Sequence, residues 1–201
     1  GRDYDFCSDN DVDLLFEPSA EEIYNKDEPV IKNNNYNNIL CDKFRKGHFD
    51  GVITVLNKFF TIIKSNKVYF GEKDFQQLKI IEKFIQEKYK SLDLVSVPTK
   101  RSEEGIAYSS RNEKLSKKQI QDFISFHQKV GNFLKSLDKS FDIETANQKA
   151  KDFIVKQDIE KLDYFEFRNN DDLSFHGTLL ESRLFYAIYK GKVRLIDNLK
   201  V

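Results

Sequence analysis

The apolar run Val68-Tyr69-Phe70 stops at Gly71. Glu72, Lys73 and Asp74 follow, and from Phe75 onward Leu78, Ile81 and Ile85 recur at helical spacing. A strand, a glycine turn and a helix start within eleven residues, Val68 to Leu78, restrict the chain to an α/β arrangement. In such a joint the backbone N–H groups and the positive end of the helix dipole face one point, which suits a phosphate or a nucleotide. The glycine-rich spacing of a Walker loop is absent. A second polar cluster, Ser109-Ser110-Arg111-Asn112, offers hydroxyls and a guanidinium to the same kind of ligand.

The flanking sequence repeats the α/β pattern. Val52, Val55, Leu56, Phe59, Ile62 and Ile63 predict one apolar helix face ahead of the strand, and Leu92 to Val97 predict a strand closed by Pro98 after the Asp74–Lys90 helix. Helix, strand, helix and strand with tight joints imply a parallel sheet. Further upstream, Val12 to Phe16 read as a strand closed by Pro18. Ser19 caps a short helix from Ala20 to Tyr24. Residues 25–38, with five asparagines between Asn33 and Asn38, are expected to form a mobile surface loop.

Beyond Pro98 the texture changes. A charged loop, 99–112, holds Gly105 and the Ser-Ser-Arg-Asn cluster. Ser116 then caps a helix that buries Ile120, Phe123, His127, Val130, Leu134 and Leu137, and a second helix runs from about Ile143 to Lys156. Strands follow at 162–167, 183–189 and 193–198, the last two joined at Lys190-Gly191, which predicts antiparallel pairing. The expected division is a parallel α/β domain over 1–98 and a small α+β domain over 99–201.

Composition excludes several classes. Basic and acidic residues number 33 each, and this zero net charge argues against a general nucleic-acid binder. No apolar run is long enough to span a membrane, and no signal peptide is visible. Cys7 and Cys41 fit neither a disulfide framework nor a zinc site and suit free thiols in a reducing cytoplasm. The chain opens on Gly1 with a polar stretch, whereas an α/β domain ordinarily opens on a central strand. The beginning is therefore either trimmed or unusual; if the first strands lie outside this sequence, an apolar sheet edge is left that would pair or aggregate unless another chain covers it.

Lys73 is placed to neutralise phosphate oxygens at a helix N-terminus, and Asp74 reads equally as a helix cap or a ligand contact. Gln76 and Gln77 point about 100° apart on a helix, so at most one faces a pocket. For Ser109, Ser110 and Arg111 a solvated serine turn competes with a phosphate grip. His48, in a Gly-His-Phe turn, reads as an anion or proton-transfer group or as a structural residue. His127 reads as core and His176 as exposed. No acid–base dyad or nucleophile constellation is evident, so stabilisation of developing charge fits better than covalent catalysis.

Taken together, these segments resemble the pantothenate synthetase (pantoate–β-alanine ligase) family. The family's Arg-Pro-Gly-His-Phe reads here as Arg45-Lys46-Gly47-His48-Phe49. Its Tyr-Phe-Gly-Glu-Lys-Asp-Tyr-Gln-Gln-Leu reads as Tyr69 to Leu78, with Phe75 for the second tyrosine. Its Pro-Thr-x-Arg…Ser-Ser-Arg-Asn…Leu-Ser spans Pro98 to Ser116, and its closing Gly-x-x-Arg-Leu-Ile-Asp-Asn spans Gly191 to Asn198.

The resemblance implies a partial Rossmann-like nucleotidylyltransferase fold of the HIGH superfamily with a C-terminal α+β domain. It also implies a reaction in which ATP activates pantoate as pantoyl adenylate, and β-alanine then displaces AMP. By that likeness Gly71, Glu72, Lys73 and Asp74 hold ATP, with Lys73 on phosphate and Asp74 near the ribose. Ser109, Ser110 and Arg111 close over the phosphates as a mobile loop, and the backbone at Lys100 and Tyr108 meets the adenine. Gln77 binds pantoate. Lys73 and Arg111 are the catalytic candidates, and Arg45 and His48 are further candidates. Magnesium accompanies the ATP, no protein-held metal is expected, and the expected assembly is a cytoplasmic homodimer.

The family's first signature, Met-Gly-x-Leu-His-x-Gly-His, is absent from the 201 residues, as is the following strand segment that carries a second pantoate-binding glutamine. The 201 residues by themselves are therefore expected to be inactive. The alternative is a truncated relative kept as a binding or dimerising module, or without function. A third reading is an adenylyltransferase for another substrate.

Overall fold

The computed structural model describes residues 2–24 and 28–201. Residues 25–27 of the expected asparagine-rich loop thus lie outside the described residues. Helices α1 (Arg2–Asp9), α2 (Ala20–Ile23), α3 (Leu40–Phe44) and α4 (His48–Ile63) lead into strand β1 (Lys67–Gly71), helix α5 (Phe75–Lys88) and strand β2 (Asp93–Val97). β1 and β2 pair in parallel, Lys67 opposite Asp93 and Gly71 opposite Val97, so β1–α5–β2 is the expected βαβ unit. Helices α6 (Lys117–Ser136) and α7 (Ile143–Ile154) follow. They pack on an antiparallel sheet of β3 (Lys161–Asn169), β4 (Ser182–Lys190) and β5 (Val193–Lys200), in that order.

The local signals behave as chemistry requires. Ser116 and Gln119 form a capping box at the start of α6, and the Asp142 side chain accepts from the Thr145 N–H at 2.7 Å to cap α7. Phe123, His127, Val130, Leu134 and Leu137 are buried as the periodicity predicts, with Ile120 packed at the margin. Phe133 stacks on Phe153 at 4.4 Å, which locks α6 against α7. The β4–β5 hairpin turns at Gly191, whose φ of 57° is left-handed backbone.

Three expectations fail. Val12 to Phe16 is no strand, and Leu14, Leu15 and Phe16 are exposed, apart from an edge contact of Phe16 with Phe59 at 6.0 Å. A strand is stabilised only through the ladder it joins, and no described strand pairs with this segment. Second, α4 is rotated from the predicted face. Phe49, Ile53, Thr54 and Phe60 are buried, whereas Ile62 and Ile63 are half-exposed. This helix is apolar around most of its circumference, so its own periodicity does not choose a face. The choice falls to its neighbours: Thr54 Oγ accepts from the Ile31 N–H at 2.9 Å, bringing the 28–38 segment onto that side.

Third, the described part of the asparagine-rich stretch is knitted rather than loose. Asn33 is buried. Its N–H donates to Asp50 Oδ1 at 2.8 Å and its amide donates to Asn35 O and Asn37 Oδ1 at 2.8 and 2.9 Å. The asparagines satisfy one another's polar groups, and Ile31 and Tyr36 pack against the apolar core, so this segment is ordered.

A small apolar cluster of Leu40, Phe75, Leu78, Leu173 and Phe185 joins the two halves, with Phe75 and Phe185 5.9 Å apart. Arg183 of β4 lies 4.1 Å over the Phe75 ring and pairs with Glu72 at 2.8 Å. The joint between the halves therefore runs through the Gly71–Phe75 turn.

Candidate active site

Gly71 ends β1 in extended backbone (φ −74°, ψ 136°). Residues Glu72–Asp74 then make one 3-10 turn before α5 begins, with Asp74 as its N-cap residue. The abrupt strand-to-helix change lifts Lys73 and Asp74 out of the sheet edge, with Lys73 Nζ 3.9 Å from Asp74 Oδ2. Lys73 stands where two clefts meet. One is lined by Lys73, Asp74 and Gln77 together with Arg45 and His48. The other is lined by Lys73, Ser109, Arg111 and Asn112. The strand–glycine–helix joint and the Ser-Arg loop, separate in sequence, thus face each other across Lys73.

The other candidates divide. Both glutamines border the cleft, against the expectation that at most one would, but the buried Gln76 is spent on structure: its Oε1 accepts from the Cys41 N–H at 2.9 Å and its amide donates to the Ile39 and Tyr36 carbonyls. Gln77, the neighbour that the resemblance selects, lines the cleft. The Glu72 carboxylate is committed to Arg183. Gly71 is exposed, with no heavy atom within 4 Å of where a Cβ would stand, and Ser110 is exposed. Lys100 and Tyr108 sit at the base of a hairpin, where the Tyr108 N–H donates to Lys100 O at 3.1 Å and the tyrosine ring faces solvent. None of Gly71, Glu72, Ser110, Lys100 and Tyr108 lines either of these two clefts.

That hairpin explains how a charged loop holds a fixed place. Arg101 and Ala107 form an isolated bridge, and the Ser102 N–H donates to Ile106 O at 2.8 Å. Gly105 turns the chain at φ 89° over the His127 ring, where an added Cβ would meet Nε2 at 3.1 Å. Ile106 and Ala107 are buried. Ser109 Oγ then accepts from the Arg111 N–H at 3.2 Å, and the Asn112 amide donates to Ala107 O at 3.0 Å. Ser109 and Arg111 are therefore displayed from a tied root.

The cleft favours anions. Burial pulls Arg45 below its ordinary pKa, and the positive charges of Arg111 and Arg194 add to that pull. Burial first, and the Arg45 charge second, lower His48 from 6.5. His127, under the loop root, is lowered from 6.5 by burial, with Arg101 adding to this and Asp197 opposing it. These histidines are held neutral in the folded state, while the unfolded chain takes up protons near 6.5. Their contribution to stability is complete above about pH 6.5 and is lost as pH falls through the depressed folded values. Thermal melts should show a lower Tm at about pH 5.5 than at about pH 7.5, and His127→Gln should flatten that slope. An unchanged slope in the variant would exclude His127 as a source.

Residue-type reasoning missed Tyr164, Asp197 and Asn198, all of which line the cleft. Tyr164 hydroxyl lies 3.1 Å from Cys41 Sγ. Asp197 and Asn198 close the Arg-Leu-Ile-Asp-Asn motif, which was the available signal.

Known proteins locate this geometry. A pantothenate synthetase of Caldicellulosiruptor bescii is 34% identical over 203 residues, covering 100% of this chain and 72% of that protein. The crystal structure of pantothenate synthetase from Thermus thermophilus superposes with a TM-score of 0.86 at 28% identity, covering 99% of this chain and 73% of that one. The pantoate-beta-alanine ligase of Francisella tularensis, complexed with beta-gamma ATP and beta-alanine, matches at a TM-score of 0.64 and 28% identity, covering 99% and 69%. The sequence model of the pantoate-beta-alanine ligase family matches residues 1–200. Extending across both halves and both walls of the cleft, that match makes this chain a member of the pantoate-beta-alanine ligase family.

Proposed function

We propose that this cleft serves the ATP-dependent condensation of pantoate with β-alanine. A pantoate carboxylate oxygen attacks the α-phosphorus of ATP, and the bond to the β-phosphate oxygen breaks, releasing pyrophosphate. The β-alanine amine then attacks the acyl carbon of pantoyl adenylate, AMP leaves with the electron pair of the broken bond, and pantothenate forms. The observation that carries this reading is the meeting of Lys73 with Ser109 and Arg111 on one side and with Gln77, Arg45 and His48 on the other.

In this reading Lys73 and Arg111 stabilise charge developing on the phosphates, and Gln77 orients pantoate. Asp74 meets the ribose, and the Gly71 and Glu72 backbone lies along the nucleotide. Ser109 and Ser110 close on the phosphates, and the hairpin base at Lys100 and Tyr108 borders the adenine. Arg45 and His48 add positive or hydrogen-bonding character where the carboxylates bind. Among the described residues no group of three His, Cys, Asp or Glu side chains could hold a metal ion. Magnesium enters on the ATP phosphates in this reading, in keeping with its habit of using substrate phosphates and water.

The division at Pro98 into a nucleotide domain and a C-terminal lid, the homodimer and the cytoplasmic setting belong to the same reading. No described helix is long and apolar enough to cross a membrane. The free edges of the two-stranded sheet, with Tyr69 and Val97 exposed, offer a surface for self-association. The test is AMP release by the full-length protein, the 201 residues by themselves being expected to give little or none. It should require pantoate and β-alanine together, and pyrophosphate exchange should require pantoate alone. Exchange without pantoate would favour a different acyl substrate.

A further inference from the structure

Asp197 and Asn198 are consecutive residues of β5, so their side chains leave opposite faces of the strand. Each grips a different wall of the site. Asp197 accepts both Arg101 guanidinium nitrogens, at 2.7 and 3.0 Å, and Arg101 also donates to Gly105 O and Asn198 O, both at 3.0 Å. That anchors the root of the Ser109–Arg111 loop. On the other face the Asn198 amide donates to Glu72 O at 2.8 Å and to Lys73 O at 3.0 Å. Its Oδ1 accepts from Arg183, whose second nitrogen donates to the Glu72 carboxylate.

Asn198 is buried, and every polar atom of its side chain is used. The turn it holds is a single 3-10 turn, whose own hydrogen bonding is poor. Two carbonyls of that turn accept from one amide donor that arrives from β5. Without it the turn is free to shift, and with it the Lys73 ammonium.

We infer that Asn198 is a positioning residue for Lys73 and that the Asp197–Asn198 pair sets the separation between the phosphate turn and the Ser109–Arg111 loop. This rests on the reading of the cleft as an ATP site. Asn198 acts through the backbone it holds. A displacement of about 1 Å at a charge-stabilising group is enough to lower catalysis severely.

The discriminating substitution is Asn198→Asp. It keeps the size and the Arg183 contact but faces the two carbonyls with an acceptor in place of a donor. Magnesium-ATP binding is measured by calorimetry for the parent protein, Asn198→Asp, Lys73→Ala and the double variant, with thermal melts to verify folding. Asn198→Ala, which removes the donor without adding repulsion, runs through the same cycle in case the aspartate fails to fold. Asn198→Asp should weaken ATP binding about 10- to 100-fold, the range expected for a buried carbonyl pair that loses its donor. In the Lys73→Ala background the same change should cost less than about threefold, because the effect passes through Lys73. The KM for β-alanine should stay within about twofold while that for ATP rises.

An undiminished effect in the Lys73→Ala background overturns the inference, as does a parallel rise of both KM values, which marks general loosening. ATP binding by the parent without pantoate-dependent turnover rejects the substrate reading and leaves the binding cycle to decide on Asn198. A parent that binds no ATP overturns both. Normal turnover with unweakened ATP binding in Asn198→Asp overturns the Asn198 role alone.

Discussion

Lys73→Ala should lower kcat by about 100- to 1,000-fold, the loss typical of removing one donor aimed at developing charge. Lys73 lines both clefts, together with Ile196 and Asp197, and it sits just before α5, where the helix dipole adds positive potential. Its one described ion pair is the 3.9 Å contact with adjacent Asp74. Truncation therefore removes little that holds the fold, and stability should change by no more than about 0.5 kcal/mol. Large kinetic loss with a small stability change separates a catalytic role from a structural one. Lys73→Arg should recover part of the rate by keeping the charge, though its fork does not reproduce a point ammonium. Pyrophosphate exchange and thermal melts on the three proteins decide the matter. Activity within about threefold of the parent in Lys73→Ala would remove this residue from the mechanism.

The largest stability loss is expected at Asp197→Ala. The Asp197 side chain is 1% exposed and balances the Arg101 guanidinium, itself 25% exposed. It also accepts from the Asn198 N–H at 2.8 Å and from the Tyr186 hydroxyl at 3.4 Å. Removing the carboxylate leaves a largely buried cation without its counter-charge, a change that costs about 3–5 kcal/mol when the remaining charge is fully enclosed. Arg101 keeps two carbonyl partners and some water, which puts the expected value near the lower end, about 3 kcal/mol. Urea unfolding would show this as a lower midpoint at unchanged slope. Asp197→Leu with Arg101→Met should cost clearly less than the sum of the single changes, because the unpaired charge is gone. Additive losses would mean that packing, rather than charge pairing, explains the effect.

Much of the candidate site lay open in the sequence because its signals are local. The strand Lys67–Gly71, the turn at Glu72–Asp74 and the start of α5 follow from residues within one or two turns of each other. So do the Ser116 capping box and the β4–β5 hairpin. Lys73 was legible as a candidate from its place beside a helix start, and Ser109 and Arg111, for which a solvated turn competed, from the Ser-Ser-Arg-Asn motif. What they share across space was not. Gln76 and Gln77 are chemically identical neighbours, and only the arrival of the Cys41 and Ile39 backbone commits Gln76 to structure.

The same distinction separates the misread elements from the rest. Val12 to Phe16 had strand chemistry but no described partner, and α4 had more apolar surface than one face could use. Sequence alone determined most helices, strands and turns from Val52 onward and which residues carry usable charge, since those depend on backbone hydrogen bonds and side chains a few positions apart. Tertiary structure alone decided which face of α4 is buried. It also decided that Glu72 belongs to Arg183, and that Asp197 and Asn198 hold the loop root and the phosphate turn across 96 and 126 residues of chain. A buried polar group is stable only with a partner, and the identity of that partner is fixed by packing rather than by neighbours in the chain.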